Sequence, residues 1–532
     1  MARKRARFLV LVALLPAVGL PAGFIVASHR ANQAPGLPLD DSWIHLRYAD
    51  NLAAGHGLSL NKGEPTPGAT SPLWVGLIAA ARRLGIPPVA AGQGLGILFS
   101  ALAVVAAYHL ACALTSRGWA VAAAWLCGCS GVLAWSAAGS MEVGLFSFLA
   151  LHAVRLHLVA QGRWRQVVGM GVLLGLATLA RPEALGLLAV LAASELWTAW
   201  LARSDSACVR RSLAQIGVQA LIALTIAAPY AWFCWVTTGR PLPTTFYVKA
   251  GAPLSLGLVW RCVLEFGRTL GSESTLIGLA CLAGLVAVAA RAKSRPRHLA
   301  LAGWVVGLPL AYGVLGNTEA GANFGRHFYI LFPFVMVVAM AGLSALAGDS
   351  NHEVHEGHEG EGRKPNRARR WAAVVLLALL SADLLWHARG RARLFVLNVK
   401  NVNEMQVAAA HWVRENVPRR ATVAVNDIGA MAFFADRPVI DLRGIATPAI
   451  LPVLERYGRP GEPTRDSGAL EFVKRVRPDY LVVFPEWYPR TLDWLLARRM
   501  VTRVKSFKLD DNVTCGGDVL VVLRAEWGKG RR

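Results

Sequence analysis

Eleven apolar segments, joined by short polar connections, dominate this 532-residue chain. They run roughly 8–28, 89–114, 118–136, 141–161, 167–180, 183–201, 212–236, 274–290, 299–316, 327–347 and 371–387. A membrane crossing takes about 20 predominantly apolar residues. Lipid supplies no hydrogen-bond partner, so only helices or closed barrels can cross it. The pattern therefore predicts a mostly α fold, a polytopic transmembrane helix bundle of about 11 spans. Composition agrees: the chain is 55% hydrophobic and 17% charged, with mean hydropathy +0.42, too apolar for a soluble protein of this length.

The few charges are unbalanced, with a formal net charge of +23. No basic, aromatic-interleaved binding module accompanies them, so nucleic acid is not an expected partner. Cytoplasmic loops of membrane proteins concentrate Lys and Arg, and anionic lipid or phosphate ligands would account for more. The basic residues before Phe8 place the N-terminus in the cytoplasm, with an uncleaved first span expected. The inside connections then carry Arg117, Arg163, Arg165, Arg203, Arg210, Arg211 and the cationic run 291–297. Segment 72–84 is too short to cross and reads as an interfacial or re-entrant helix on the outer side. If it spanned, the run 291–297 would face outward. The eight cysteines, mostly in apolar segments, give no disulfide framework, and Cys127 and Cys129 read as packing residues.

Two polar regions stand apart. Residues 348–370 are low-complexity, with His352, His355 and His358 three apart; a cytoplasmic linker is expected rather than a metal site. Residues 389–532 are mixed. Strand-like Ala421–Val425, Val439–Leu442 and Tyr480–Phe484, with a helical Val402–Glu415, predict a small C-terminal α/β domain. Parity places it outside. The organisation expected is a membrane domain over 1–388, with an extracytoplasmic loop over 29–88, and an extracytoplasmic α/β domain over 389–532. No internal repeat is evident.

The loop after the first span carries most of the chemistry. Asp40 and Asp41 open it, an amphipathic run follows over Trp43–Ala54, and Gly55 and Gly57 stop that helix. A turn at Asn61-Lys62-Gly63 and prolines at 65, 67 and 72 enforce an extended return. The Asp pair has two readings. Asp at a helix start caps free N–H groups; a carboxylate beside a membrane can also take a proton from a hydroxyl or hold a metal.

The set Asp40-Asp41, Trp43, Arg47-Tyr48-Ala49, Gly55-His56-Gly57 and Thr70-Ser71-Pro72-Leu73-Trp74, in that order, resembles the first extracytoplasmic loop of GT-C glycosyltransferases. It is most similar to the bacterial branch containing the mycobacterial terminal arabinofuranosyltransferase. Protein O-mannosyltransferases and the lipid A aminoarabinose transferase are more distant. The resemblance implies an inverting glycosyltransferase of the bacterial inner membrane. It would move a sugar from a polyprenyl-phosphate donor to a glycan, lipid or protein acceptor on the outer face. Asp40 and Asp41 are the implied catalytic pair, and Arg47 and His56 are substrate-binding candidates. We expect Asp40 as the base, because the helix-like run starts near Ser42 and leaves Asp41 as the cap.

Further motifs match the same branch. Glu142 follows Gly139-Ser140-Met141, where the branch usually has Gly-Met-Glu; a solvated interfacial Glu is the alternative. Arg181-Pro182-Glu183 interrupts an apolar stretch and would shape the cavity, or simply pair with itself. Lys249 ends a loop in which Thr244 replaces a commoner Asn; it is a phosphate ligand or a snorkelling Lys. Arg326 offers a planar donor fork for phosphate, or an interface anchor. Asp427 and Asp441 match short motifs of the tail domain, with turn capping favoured. A divalent cation (Mg²⁺, Mn²⁺ or Ca²⁺) would take one Asp plus a more distant carboxylate, Glu142. No phosphate-cradling glycine loop or nucleophile elbow appears, which fits a lipid-linked donor. A polyprenyl-lipid transporter or non-catalytic assembly protein is the contrasting class; a transporter would more often show inverted repeats and mid-membrane charges.

Overall fold

The computed structural model describes residues 2–160, 162–292, 294–348, 367–458 and 462–528. The His-containing linker at 349–366, and Lys293 of the cationic run, lie outside the described residues. The first half forms α1 (Ala2–Asn32), α2 (Asp40–Ala53), α3 (Pro72–Arg83), α4 (Pro88–Ala111), α5 (Arg117–Gly128), α6 (Gly131–Ala138), α7 (Val143–Leu158), α8 (Trp164–Ala180), α9 (Ala184–Leu201) and α10 (Ser206–Thr238). There follow α11 (Thr244–Lys249), α12 (Leu256–Glu273), α13 (Thr275–Arg291), α14 (Leu299–Val314), the kinked turn α15 (Ala322–Gly325), α16 (Phe332–Leu346) and α17 (Arg367–Val402).

Every apolar segment folds as helix. Among the described residues, six helices are long and apolar enough to cross a membrane, or seven when α5 and α6, bent by 50°, count as one. The other four segments form α7, α8, α13 and α14, of 16 or 17 residues each. By length and composition alone the helices thus support six or seven crossings, fewer than the eleven expected. Segment 72–84 forms the 12-residue α3, which packs on α2. Helix α12 was not anticipated: its alternating Leu, Val and Arg residues hid an amphipathic helix inside a connection read as loop.

Helix α16 is the central post, with Phe332 to Gly342 all buried. It crosses α13 so closely that a Cβ on Gly284 would lie 2.0 Å from the Val338 carbonyl oxygen. Without a hydrophobic drive inside lipid, such close approach at small residues is what holds membrane helices together.

The last span does not end where the α/β domain was expected to begin. Helix α17 runs on through a π-helical turn, Asn403–Val407, into α18 (Ala408–Asn416), so residue 389 lies inside one continuous helix. Beyond it come β1 (Val423–Val425), α19 (Gly429–Phe434), β2 (Val439–Asp441), α20 (Leu451–Tyr457), α21 (Arg465–Val476), β3 (Tyr480–Val483), α22 (Pro489–Ala497), β4 (Val501–Lys508) and β5 (Val519–Ala525). The sheet order is β2-β1-β3-β5-β4. The three strands read from sequence are β2, β1 and β3, mutually parallel; β5 and β4 add on antiparallel. Central β3 and β5 are buried, whereas edge strand β4 is largely exposed and cationic. That composition hid β4 from hydrophobic patterning and guards a sheet edge.

The domain seats on the first loop. Trp43 of α2 packs its ring 5.1 Å from Phe433 and 4.8 Å from Phe434 of α19. Asn61 donates to the Val439 carbonyl and accepts from its N–H, both at 3.0 Å, as a strand neighbour would. Arg240 grips Glu455 with both terminal nitrogens, at 2.7 and 2.8 Å.

Candidate active site

Helix α2 starts two residues earlier than the pattern suggested, at Asp40. Leu39 is the extended residue before it, so Asp40 and Asp41 both lie in the first turn, where the helix dipole favours carboxylates. Neither caps α2 itself. Asp40 turns toward the α/β domain and accepts from the backbone N–H of Gly429 at 2.7 Å and of Ala430 at 2.8 Å. Asp41 turns the other way, into a cavity of about 310 Å³. The expected roles are thus reversed in geometry: Asp40 is the capping residue, though of another helix, and Asp41 faces the open space.

The cavity has apolar walls, including Ile44, Trp135, Leu185, Phe246 and Leu308, and a set of convergent polar groups. Asp41 is paired to Arg326, whose Nη2 donates to its carboxylate. The remaining Arg326 nitrogens, Nε and Nη1, are buried without a partner. Lys249 lines the same cavity at the end of α11. Burial alone would raise the Asp41 carboxyl; the charges of Arg326 and then Lys249 outweigh it and hold Asp41 well below the usual carboxylate range. Burial pulls Lys249 below its usual value, with Asp41 and Glu319 opposing that shift. His45, one helical turn beyond Asp41, is lowered by burial, so it is neutral near pH 7.

The floor is an ion cluster. Arg181 donates to Glu142 at 2.7 Å and to Glu183 at 2.7 Å, and Glu183 also accepts from the Tyr312 hydroxyl at 2.7 Å. Arg181 is thus flanked by two carboxylates, one local and one from α7's start, which satisfies a charge no lipid would accept. Just before Glu142, Ser140 has φ 58°, in the left-handed region. A glycine adopts that conformation without penalty, whereas Ser140 adopts it at a cost. The Trp74 indole donates to the Ser140 carbonyl at 3.1 Å and ties α3 to the same turn.

Several candidates lie away from the cavity. Arg47 donates through Nε to the Leu60 carbonyl at 3.0 Å, and Asn51 and Tyr48 similarly hold the returning chain. His56 is exposed in the turn after α2. Arg47 and His56 therefore build the loop and do not line the site. Asp441 accepts from the N–H groups of Arg443 at 2.8 Å and Ala446 at 2.7 Å, the turn-capping role favoured from sequence. Asp427 accepts from Gln406 at 3.0 Å, beside Asp40 and outside the cavity lining. Burial first, then the Asp427 charge, pushes the Asp40 carboxyl up; burial raises Asp427 as well.

Sequence reasoning missed Glu319 and Arg443, which pair across the junction, with Arg443 lying 5.1 Å over the Trp487 ring. It also missed His45, Tyr312 and His327. The i, i+4 spacing of Asp41 and His45 on one helix face was the available signal for His45. Thr244, where Asn is commoner, donates to the Ile445 carbonyl, so its hydroxyl makes a contact of its own. Of the carboxylates considered above for a divalent cation, Glu142 pairs with Arg181 and Asp41 with Arg326. Among the described residues no group of three His, Cys, Asp or Glu side chains could hold a metal.

Comparisons with known proteins follow this geometry. A domain of unknown function (DUF8728) matches residues 398–522, the α/β domain with the end of α17. No curated protein matches the chain by sequence. By shape, the chain is similar to the Archaeoglobus fulgidus oligosaccharyltransferase in the apo form, at 16% identity and TM-score 0.62, over 97% of this chain and 76% of that one. It is also similar to that archaeal enzyme in complex with an inhibitory peptide and a dolichol-phosphate, at 15% identity and TM-score 0.60, over 95% and 73% of the two chains. ArnT from Cupriavidus metallidurans bound to undecaprenyl phosphate matches at 13% identity and TM-score 0.53, over 98% of each chain. At these identities the likeness speaks for the fold alone, the one that these structures share with this chain.

Proposed function

From the GT-C fold as premise, we propose that this chain is an inverting, polyprenyl-phosphate-dependent glycosyltransferase with Asp41 as its base. The observation that carries this reading is the placement of Asp41, Arg326 and Lys249 around one apolar-walled cavity. The dolichol-phosphate and undecaprenyl phosphate in the structures above support a lipid-phosphate donor for this chain too.

The acceptor hydroxyl gives its proton to an Asp41 carboxylate oxygen as its own oxygen attacks the anomeric carbon. The bond from that carbon to the donor phosphate breaks, and polyprenyl phosphate leaves with the electron pair. Arg326 and Lys249 meet the charge that develops there, as preorganised cations in a site of low dielectric do. In the unliganded chain these cations hold Asp41 as a weak base. An arriving phosphate competes for them, so the pKa of Asp41 rises as the donor binds. The Arg181–Glu142–Glu183 cluster fixes the cavity floor and orients the sugar by hydrogen bonds. Asp40 positions the α/β domain as a roof.

The proposed placement is a bacterial inner membrane with the cavity and α/β domain extracytoplasmic and the N-terminus inside. Reporter fusions after Asp205 should read cytoplasm and after Ala250 outside; the reverse would sink this topology. The activity test uses membranes holding the full chain and labelled polyprenyl-phosphate pentoses and hexoses in separate arms. Transfer that is lost in Asp41→Asn supports the reading. No transfer with any donor, or full transfer in Asp41→Asn, overturns it.

A further inference from the structure

A second cavity, of about 650 Å³, opens between α12, α15 and the upper part of α17. Its lining is dominated by arginine: Arg268 from α12 and Arg389, Arg391 and Arg393 from α17, against one carboxylate, Glu265. Glu265 is already paired with Arg268 at 2.6 Å. Arg391 is buried and anchored, donating to the Ser272 hydroxyl at 2.7 Å and the Tyr329 hydroxyl at 3.2 Å. Arg389 and Arg393 are exposed and make no ion pair among the described residues. Among the described residues, then, the groove lining carries Arg389, Arg391 and Arg393 beyond the Arg268–Glu265 pair, and of these only Arg391 has a further carboxylate, Glu273, acting on it.

Its position narrows the ligand. The α17 residues involved follow directly on the apolar stretch of the last span. Trp386 sits on the rim, 69% exposed, an amphipathic ring of the kind enriched at the headgroup level. Guanidinium forks match phosphate oxygens in geometry as well as charge. A chain-long apolar neighbour is what a lipid tail needs beside such a headgroup.

We propose that this groove binds the phosphate of a lipid headgroup at a site separate from the Asp41 cavity. The inference stands on different side chains from the catalytic reading and does not depend on it. The two sites share one wall. Phe324 and Gly325 line the groove, Asn323 and Phe324 have φ of 49° and 67°, and the next residue in the chain is Arg326 of the other cavity.

Native mass spectrometry of the purified full chain tests this, with undecaprenyl phosphate, phosphatidylglycerol or uncharged diacylglycerol added in separate arms. An Arg326→Gln background weakens the first site, so that lipid retained there reports the groove. Each exposed headgroup cation contributes about five-fold in affinity, so Arg389→Gln with Arg393→Gln should lower retention of a phosphate lipid roughly ten- to thirty-fold. Both positions are exposed, so folding is not at stake; thermal unfolding of the variant checks that. Retention of phosphatidylglycerol and undecaprenyl phosphate alike assigns a bulk headgroup, and retention of undecaprenyl phosphate alone assigns the carrier lipid. Equal retention of diacylglycerol, or no loss in the double variant, overturns the proposal.

Discussion

The carboxylate of Asp40 accepts the backbone N–H of Gly429, 2.7 Å away and 389 residues later in the chain. That bond, with its neighbour from Ala430, joins the start of the first loop helix to the start of a helix in the α/β domain. The fit leaves no room: a Cβ on Gly429 would lie 2.0 Å from the Asp40 carbonyl oxygen. We expect Gly429→Ala to unseat the domain, seen as faster proteolysis between residues 403 and 422 with the membrane helices intact. An unchanged cleavage pattern would show that the seat does not depend on this contact.

The two aspartates should separate in their effects. Asp41→Asn removes the only carboxylate of the pair that faces the cavity, and turnover should fall ~10²-fold or more at equal expression. Asp40→Asn weakens two bonds to N–H donors and should cost about 1–3 kcal/mol of stability, with turnover far less affected. Arg47→Ala and His56→Ala lie outside the cavity and should leave kcat near wild type. Steady-state rates on matched membrane preparations decide between these.

Activity should depend on pH through Asp41 and Lys249. In the free protein Asp41 is held below the ordinary carboxylate range, so it stays ionised on descending from neutrality until strongly acidic pH. The acid limb of kcat/KM should therefore lie below the usual ~3.9 of an aspartate. With the donor bound, its cations are shared with phosphate, so the acid limb of kcat should lie at higher pH. The alkaline limb should fall below 10.5, since burial lowers Lys249, and Lys249→Arg should shift that limb upward. Coincident acid limbs would argue against competition for the cations.

Stability should show the opposite sign at the domain junction. Asp40 and Asp427 are both raised in the folded protein. A raised folded pKa gives stability that is complete below the unfolded value near ~3.9 and is lost as pH rises through the folded one. Thermal unfolding in detergent should thus show the junction weakening with rising pH. Asp427→Asn removes one partner and should flatten that slope; an unaltered slope would exclude this pair as its source.

Arg181 is 8% exposed and holds two carboxylates. Arg181→Met would leave Glu142 and Glu183 buried with no cation. Breaking a buried pair in this way costs about 3–5 kcal/mol, so a clear drop in unfolding temperature is expected. Glu142→Gln in the same background should restore part of it. No drop would mean that water or lipid headgroups already solvate the cluster.

The helices and the parallel strands were legible because hydrophobic period and run length are local properties. The site was legible in part. Glu142, Arg181 and Glu183 stood out as charges at membrane depth, where solvation cost singles them out, Lys249 and Arg326 stood out by motif and phosphate-binding chemistry, and all five converge on one cavity. The direction each of two adjacent aspartates faces was not legible. It depends on where α2 begins and on a helix in the distant domain, neither of which the local pattern contains. Arg47 was misplaced because a motif match does not tell a residue that holds the loop from one that meets substrate. β4 escaped because an exposed strand rich in Lys and Arg reads as loop, and α12 because its charges interrupt the apolar run of an amphipathic helix.

From Trp371 in α17, through the π-turn, to Asn416 at the end of α18 runs one rod of 46 residues, more than twice the ~20 residues a bilayer needs. The rod acts as a lever. By length and composition its first turns suit a membrane crossing, and its last turns lead into the α/β domain, whose Ile445 lines the Asp41 cavity. Membrane helices tilt to match the thickness of the bilayer around them. In a thicker or thinner membrane the roof must swing with the lever or strain its seat on α2. We expect bilayer thickness to act on this cavity through the rod, read as a change in turnover between vesicles of short-chain and long-chain lipids.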